Sequence, residues 1–191
     1  LVAAMLSSNL KQDGIFTLQI KGKGLLPLLV VDAEFGGALR GYAELPPASA
    51  EKIRPLSDNA SLTPLVGEAA YLAITLDPGA GMQRYQGVVA IEGESMVAVL
   101  NHYFTQSQQL DVLFKLAVDK VLLPASAQPV WMAGGMMLER LPQEVTAVDD
   151  KEAQEEAWRY GAAMLGTVTA DELLAPLLDA STLLHQLFHE E

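Results

Sequence analysis

Two of the chain's three histidines lie four residues apart near its end. His185 and His189 would share one face of a predicted helix, with Glu190 and Glu191 beside them, and such a pair can bind a metal ion. A third ligand would have to come from elsewhere, and the zinc-protease order, with Glu directly after the first His, is absent. A helix-terminal pair that interacts favourably with the helix dipole is the alternative interpretation.

No other group of residues forms a recognisable catalytic site. His102 has no serine in a G-x-S-x-G turn to activate, and the Gly-Lys-Gly segment 22–24 lacks the spacing of a phosphate-binding loop. Glu92 and Glu94 flank a turn and could form an acid–base pair, but solvated carboxylates are the simpler interpretation. We therefore expect no enzyme activity and no cofactor, and keep a metal-dependent hydrolase using His and Glu as the alternative.

An unusual apolar cluster lies on one predicted strand, around residue 135. Methionine side chains adapt to irregular partners, which suits the binding of many different apolar segments. A methionine-rich strand also commonly belongs to a protein core. The candidate binding residues are Trp131, Met132, Met136, Met137 and Leu138.

Charge and composition restrict the partners. A net charge of −12 repels phosphate backbones and anionic lipids, so nucleic acid and membranes are poor partners. No run of about 18 apolar residues exists that could span a bilayer. The chain has no cysteine, which removes disulfides and thiolate ligands and fits a reducing compartment. Half of the 191 residues are hydrophobic, so we expect a large core, an apolar interface, or both.

The first residues predict a helix that lacks its beginning. The segment Leu1–Leu6 is apolar and helical in character, with no initiator methionine and no capping residue. It also lacks the basic region and cleavage site of a signal peptide. We expect the chain to be a piece of a longer protein at this end, and at the other end too.

The segment 84–110 predicts a strand, a tight turn and a very apolar helix. Gly87 in the strand indicates close approach by another element. After the turn, apolar residues recur at helical spacing from Met96, and Val97 and Ala98 widen that face until little is left for water. A helix of this kind, over 95–105, belongs inside a fold.

The remaining patterns predict strands first and helices last, an α+β fold. Strands are expected at 15–21, 25–32, 38–45, 69–76, 84–91, 112–118 and 130–140. Gly134-Gly135 indicates either a bulge or a close backbone approach. Helices are expected at 153–165, at 170–175 behind a Thr169 cap, and at 181–191. The prolines of 46–66 predict a surface excursion with one helical turn near 49–54. The predicted division is a sheet-rich core, 1–148, and a helical part, 149–191.

Four ordered motifs resemble the bacterial 33 kDa chaperonin family, the redox-regulated heat-shock holdases. They are RYQGVVAIEGESMVAVLNHYFTQSQQL at 84–110, GEAAYLAITL at 67–76, MAGGMMLERLP at 132–142 and LLHQLFHEE at 183–191. The resemblance covers nearly the whole chain. It implies antiparallel sheets that enclose the central helix 95–105 in β/α/β layers.

The resemblance also implies a function. Members hold unfolding client proteins in the cytoplasm without ATP, often as dimers, and carry a C-terminal zinc module with four cysteines. This chain has no cysteine, so no zinc ligand can be assigned here. We expect unfolded clients and a second copy of the chain as partners. A module that only dimerises through apolar strands is the third interpretation.

Overall fold

The computed structural model describes residues 1–8, 14–55, 61–79, 81–92, 95–124, 126–141, 148–176 and 178–188. The chain divides into two compact units, Leu1–Gln109 and Leu110–Glu191. Mixed helices and antiparallel strands confirm the α+β class. The division places the strands after residue 110 with the C-terminal helices, whereas the sequence grouped them with the earlier strands.

The first unit contains five strands, four α-helices and one π-helical turn among its described residues. The predicted strands are present, with ends shifted by up to about three residues, as is usual for predicted boundaries. The elements in chain order are α1 (Val2–Ser7), β1 (Ile15–Lys21), β2 (Leu28–Glu34), β3 (Leu39–Glu44), α2 (Pro47–Ile53), α3 (Leu62–Val66), β4 (Tyr71–Asp77), β5 (Tyr85–Ala90) and α4 (Met96–Tyr103).

The five strands form one antiparallel sheet in the order β3-β2-β1-β4-β5. The predicted meander β1-β2-β3 and the hairpin β4-β5 are both confirmed, and β4 returns to pair with β1. Strict alternation places every second residue on one face of the sheet. That face carries Leu18, Ile20, Leu72 and Ile74, each at most 5% exposed, and α4 packs against it.

Helix α4 begins where the sequence places it, because the Ser95 Oγ accepts a hydrogen bond from the Ala98 N–H at 3.2 Å. It buries Val99, Leu100 and Tyr103, while Ala98 and His102 are exposed. The helix is therefore buried on one side rather than nearly all round, because alanine contributes too little apolar surface to require burial.

Gly87 marks a close approach, as predicted. A Cβ at Gly87 would lie 2.5 Å from the Tyr103 Oη, so only glycine lets the Tyr103 ring rest on β5. Burial, followed by the neighbouring Tyr85 hydroxyl, raises the pKa of Tyr103, which keeps the phenol protonated. The Gln108 amide then donates to both phenol oxygens from a π-helical turn, Phe104–Gln108, that ends the helix.

The proline-containing segment 46–66 includes a second short helix. Helix α3 was not predicted. Pro64 lies in its first turn, where the backbone N–H that proline lacks would have no partner within the helix. The carbonyls of Val66 and Leu65 accept hydrogen bonds from the N–H groups of Gly24 and Leu26, at 2.9 and 2.7 Å. These bonds hold residues 22–27 against α3, which is why β2 begins at Leu28 rather than at Leu25.

The second unit combines a long two-stranded hairpin with three helices among its described residues. Strand β6 (Val112–Val121) pairs with β7 (Val130–Glu139), and α5 (Val148–Thr167), α6 (Ala170–Leu173) and α7 (Ala180–Phe188) follow. The register is continuous through Gly134 and Gly135, so the predicted bulge is wrong. The alternative, a close approach, is confirmed because a Cβ at Gly134 would lie 1.9 Å from the Leu173 carbonyl oxygen.

Side-chain caps set the beginnings of the last two helices. The predicted capping box at α6 is present: the Thr169 Oγ1 accepts from the Glu172 N–H, and the Glu172 carboxylate accepts from the Thr169 N–H at 2.7 Å. The Thr169 hydroxyl also donates to the Glu172 carboxylate at 2.7 Å, and this bond, followed by that from the Thr169 N–H, lowers the pKa of Glu172. At α7 the Asp179 carboxylate accepts hydrogen bonds from the Thr182 N–H and hydroxyl, at 2.9 and 2.8 Å.

Replacing Gly134 by alanine tests the contact between α6 and β7. The added methyl would overlap a backbone oxygen, so the strand or helix must shift, and we expect a loss of about 1–3 kcal/mol in the free energy of unfolding. Gly166→Ala is the matched control, since a Cβ there meets nothing within 4 Å and should raise helix stability by about 0.5–1 kcal/mol. Denaturant unfolding of both variants measures the difference; equal stability would contradict the contact.

Candidate functional site

The five candidate residues do not form one surface, because they alternate between the two faces of β7. Trp131 and Met137 share a face with Val118, since directly opposed residues in an antiparallel pair lie on the same side. The opposite face carries Met132, Met136 and Leu138.

The face with Leu138 is the one that the helices cover. Gly134 on this face meets α6, and a Cβ on Gly161 of α5 would lie 3.1 Å from the Leu138 side chain. The Lys115 Nζ, on the same face of β6, donates to the Gly166 carbonyl at 3.2 Å. Met132, Met136 and Leu138 are half-buried there, so they serve mainly to pack the hairpin on its helices.

Trp131 is the most exposed of the five, at 70%. The Lys120 Nζ lies 5.1 Å from the centroid of its ring, a cation–π contact between directly opposed residues of the hairpin. Val118, on the same face, is 62% exposed. Together with the exposed Leu122 at the turn end, Val118 and Trp131 form an apolar area that we call the hairpin surface: Val118, Leu122 and Trp131.

Val118 and Leu122 were not among the predicted residues, because those were chosen along a single apolar strand. Adjacent residues of a strand lie on opposite faces, so the sequence of 130–140 already places Trp131 and Met132 on different faces. The exposure of Val118 depends on the register with β7 and on strand β6 continuing to Val121, three residues beyond its predicted end. The connection between the strands is too long to specify that register from sequence.

Arg140 anchors the other end of the hairpin to α5. Its guanidinium binds the Glu155 carboxylate through both terminal nitrogens, at 2.8 and 3.2 Å, and lies 5.0 Å from the Trp158 ring centroid. Asp111 adds a second carboxylate at 3.4 Å, and its backbone carbonyl accepts the Arg140 N–H at 2.9 Å. The hydrogen bond from Arg140 holds the pKa of Glu155 below its usual value. The hairpin is thus fixed at one end and exposed at the other.

Among the residues considered for metal or acid–base chemistry, the three that the structure describes lie on separate elements. His185 is exposed on α7, His102 is exposed on α4, and Glu92 is exposed after β5. Their proposed companions His189, Glu190, Glu191 and Glu94 lie outside the described residues. Within the described ranges no three His, Asp or Glu side chains are grouped to hold a metal ion, and no described helix is long and apolar enough to cross a membrane.

Comparison with known proteins identifies the family. The family model described as Hsp33 protein matches residues 1–191. The chain belongs to the Hsp33 family.

Relatives in the Hsp33 family are similar over the whole of this chain. The 33 kDa chaperonin of Pseudomonas paraeruginosa is 38% identical over 189 residues, which are 99% of this chain and 56% of the relative. That of Ectopseudomonas mendocina is 37% identical and is covered to 57%. The chain therefore spans slightly more than half of the length of these curated relatives.

The fold is also shared with a solved member of the Hsp33 family. The crystal structure of the 33 kDa chaperonin from Thermotoga maritima has a TM-score of 0.69 with 18% identity. The match covers 100% of this chain and 60% of that one. The α+β fold predicted from the sequence is therefore that of an Hsp33 protein, and the resemblance in the four motifs is confirmed.

Acid should loosen the Arg140 anchor. Because the pKa of Glu155 is lowered on folding, its ion pair adds stability above the unfolded-state pKa of about 4.3, and this contribution is lost as the pH falls through the lower folded pKa. We expect Glu155→Gln to lower stability at pH 7 and to reduce the stability difference between pH 7 and pH 3. Thermal unfolding at both pH values measures this.

The exposed neighbour Glu156 supplies the control for this anchor. Glu156→Gln should leave the pH dependence close to that of the unmodified chain. Identical profiles for the two variants would show that the Arg140–Glu155 pair does not contribute to stability.

Proposed function

We propose that this chain is the client-binding part of an ATP-independent holdase, which binds unfolding proteins through exposed apolar side chains and slows their aggregation. Membership of a chaperone family carries the proposal. Burial of apolar surface contributes roughly 25 cal/mol per Å² removed from water, and it needs no nucleotide. Such binding is non-directional and therefore suits clients of unrelated sequence.

The hairpin surface supports this proposal as the place where clients bind. Large apolar side chains rarely cluster on a soluble surface without a partner. Trp131 offers a broad rigid face, and its Lys120 neighbour can contact acidic or aromatic groups of a client. The anchor at Arg140 holds the surface in place without covering it. Met132, Met136 and Leu138 contribute indirectly by packing the hairpin on α5 and α6.

Further features of the family belong to the same proposal. We propose action in the cytoplasm, on unfolded or partly folded proteins, with the chain working as a homodimer in the stress response. Redox regulation through thiols requires cysteine, and the chain has none. Redox control through thiols and zinc would therefore depend on residues that are not in this chain.

Light scattering of a heat-denatured client, without ATP, tests the proposal. Equimolar chain should suppress aggregation, and the variant Val118→Gln/Trp131→Gln should suppress it several-fold less, because about 1.5–3 kcal/mol of apolar burial is lost per large side chain. The measurement is the scattering plateau at matched concentrations. Unchanged aggregation with the unmodified chain would refute the holdase function.

Tyr160→Gln is the matched control for the hairpin variant. Tyr160 is also an exposed aromatic residue of the second unit, at 57%, but it lies on α5 away from the hairpin surface. It should suppress aggregation as well as the unmodified chain does. Equal loss of activity in both variants would exclude the hairpin surface as the specific binding site while leaving the holdase function standing.

A further inference from the structure

Strand β5 is the uncharged edge of the larger sheet. Among the described strands it pairs with β4 alone, and the pairing runs without a bulge from Tyr85 to Ala90. Its six residues include no charged residue and no proline. Strand β3, at the other edge, carries Arg40 and Glu44. Charges, prolines and bulges are the devices by which natural sheets keep an edge from pairing with another chain, so β3 is protected and β5 is not.

The backbone groups that point away from the sheet at β5 can be identified. The Ile91 N–H donates to the Ala70 carbonyl at 2.9 Å, which makes these residues a hydrogen-bonded pair at the end of the β4–β5 ladder. Such pairs alternate along an antiparallel ladder, so Tyr85, Gly87 and Val89 direct their N–H and carbonyl groups towards β4. Three exposed residues direct theirs away from the sheet: Gln86, Val88 and Ala90.

Apolar side chains lie beside this edge on both faces of the sheet. Val88 is 56% exposed on the face away from α4, and Tyr85 is 44% exposed on the face where α4 packs. A strand added to β5 would place its alternate side chains on one face and then on the other. A charged side chain in either position would lose water without gaining an opposite charge from β5. The edge therefore fits an uncharged segment best.

We propose that β5 binds an extended, uncharged segment of an unfolding client as a sixth strand of the sheet. The proposal rests on the holdase function proposed above and adds a second kind of contact to it. Backbone hydrogen bonds are available from every residue except proline, so binding of this kind suits clients of unrelated sequence. The side chains of Val88 and Tyr85 favour segments rich in β-branched and aromatic residues.

Capture of such segments would act directly against aggregation. Uncharged segments with many β-branched and aromatic residues are those that pair with one another in cross-β aggregates. A segment paired with β5 has one of its two edges covered and cannot join two other clients. The hairpin surface would act differently, because it contacts side chains rather than the backbone.

A second copy of the chain is the competing occupant of β5, and the observations favour the client. Two copies, each with a net charge of −12, repel one another. An edge of six residues also falls short of the roughly 1,000 Å² that a lasting interface between two folded chains needs. A single unfolded segment is flexible enough to follow the twist of β5 and can bind transiently.

Hydrogen exchange tests the pairing in the unmodified chain. The probe is a peptide of alternating valine and threonine residues with a lysine at each end. When the chain is saturated with it, the N–H groups of Gln86, Val88 and Ala90 should exchange at least about tenfold more slowly than in the free chain. The Gly41 N–H is the control, since it points outward from β3 by the same alternation. Absent binding, unchanged exchange at the three amides, or equal slowing at Gly41 would overturn the proposal.

Proline substitutions at the two edges test which strand binds. The Val88 N–H points outward, so Val88→Pro breaks no bond with β4 but removes a donor at the edge. It should weaken binding of the labelled peptide at least about tenfold, measured by fluorescence anisotropy. Gly41→Pro is the matched control on β3, where nothing lies within 4 Å of an added Cβ, and should bind like the unmodified chain. Thermal unfolding confirms that both variants fold. Equal affinities of the two variants would overturn the proposal.

Methylated peptides separate backbone pairing from side-chain contact in the same measurement. Methylation of every second backbone nitrogen leaves one edge of the peptide intact, so this peptide should bind like the parent. Methylation of two adjacent central nitrogens interrupts both edges and should weaken binding at least about tenfold; equal affinities would overturn the proposal. The variant Val118→Gln/Trp131→Gln should bind the parent peptide normally. Because client aggregation is not the readout, the β5 contact and the holdase function can fail separately.

Discussion

Contact between backbones, with no side chain between them, is the constraint on which both units depend. A Cβ on Gly22 would lie 1.9 Å from the Val66 oxygen, and one on Gly134 the same distance from the Leu173 oxygen. The helices involved have five and four residues, too short to persist alone in water. They form because Gly22 and Gly134 have no side chain, so each helix can pack directly against the neighbouring backbone, and α3 also accepts hydrogen bonds from Gly24 and Leu26. The central helix meets β5 in a related way, with the Tyr103 ring lying where a side chain on Gly87 would be.

These close contacts leave apolar side chains exposed at the margins of the sheets rather than in their middles. The hairpin surface lies at the end of β6–β7 away from Arg140, and the β3 edge lies at the side of the larger sheet away from α4. A net charge of −12 opposes non-specific association of a chain with such surfaces, because the copies repel one another. Local charges such as Arg40 can then decide which specific contacts form.

Most of the fold could be predicted because alternation and turn residues act locally. Strand β1 was predicted to the residue, and the Thr169–Glu172 box was recognised from two residues. Helix α3 was missed because prolines and polar residues surround it, and only its contacts with residues 22–27 define it. At Gly134 two interpretations remained open, since a bulge and a close approach both require glycine; only the position of α6 distinguishes them.

The candidate site was harder to predict for a different reason. Trp131 was predicted because it is a large apolar residue in a methionine-rich segment. The other candidate residues were chosen along the same strand, whereas the neighbours of Trp131 on its face come from the paired strand β6. The alternation that separates Trp131 from Met132 is visible in the sequence. The pairing that brings Val118 next to Trp131 is set by a connection of several residues, whose geometry the sequence does not specify.

The order β3-β2-β1-β4-β5 has a consequence for the assembly of several copies of the chain into one sheet. A sheet with two free sides can add copies head to tail without limit and become a fibre, whereas a contact in which one side meets its own image is used up once made. Charged side chains on an edge strand oppose such open growth, and β3 carries Arg40 and Glu44 among its six exposed residues. A chain that keeps apolar surface exposed for other proteins would in this way avoid becoming a template for its own polymer.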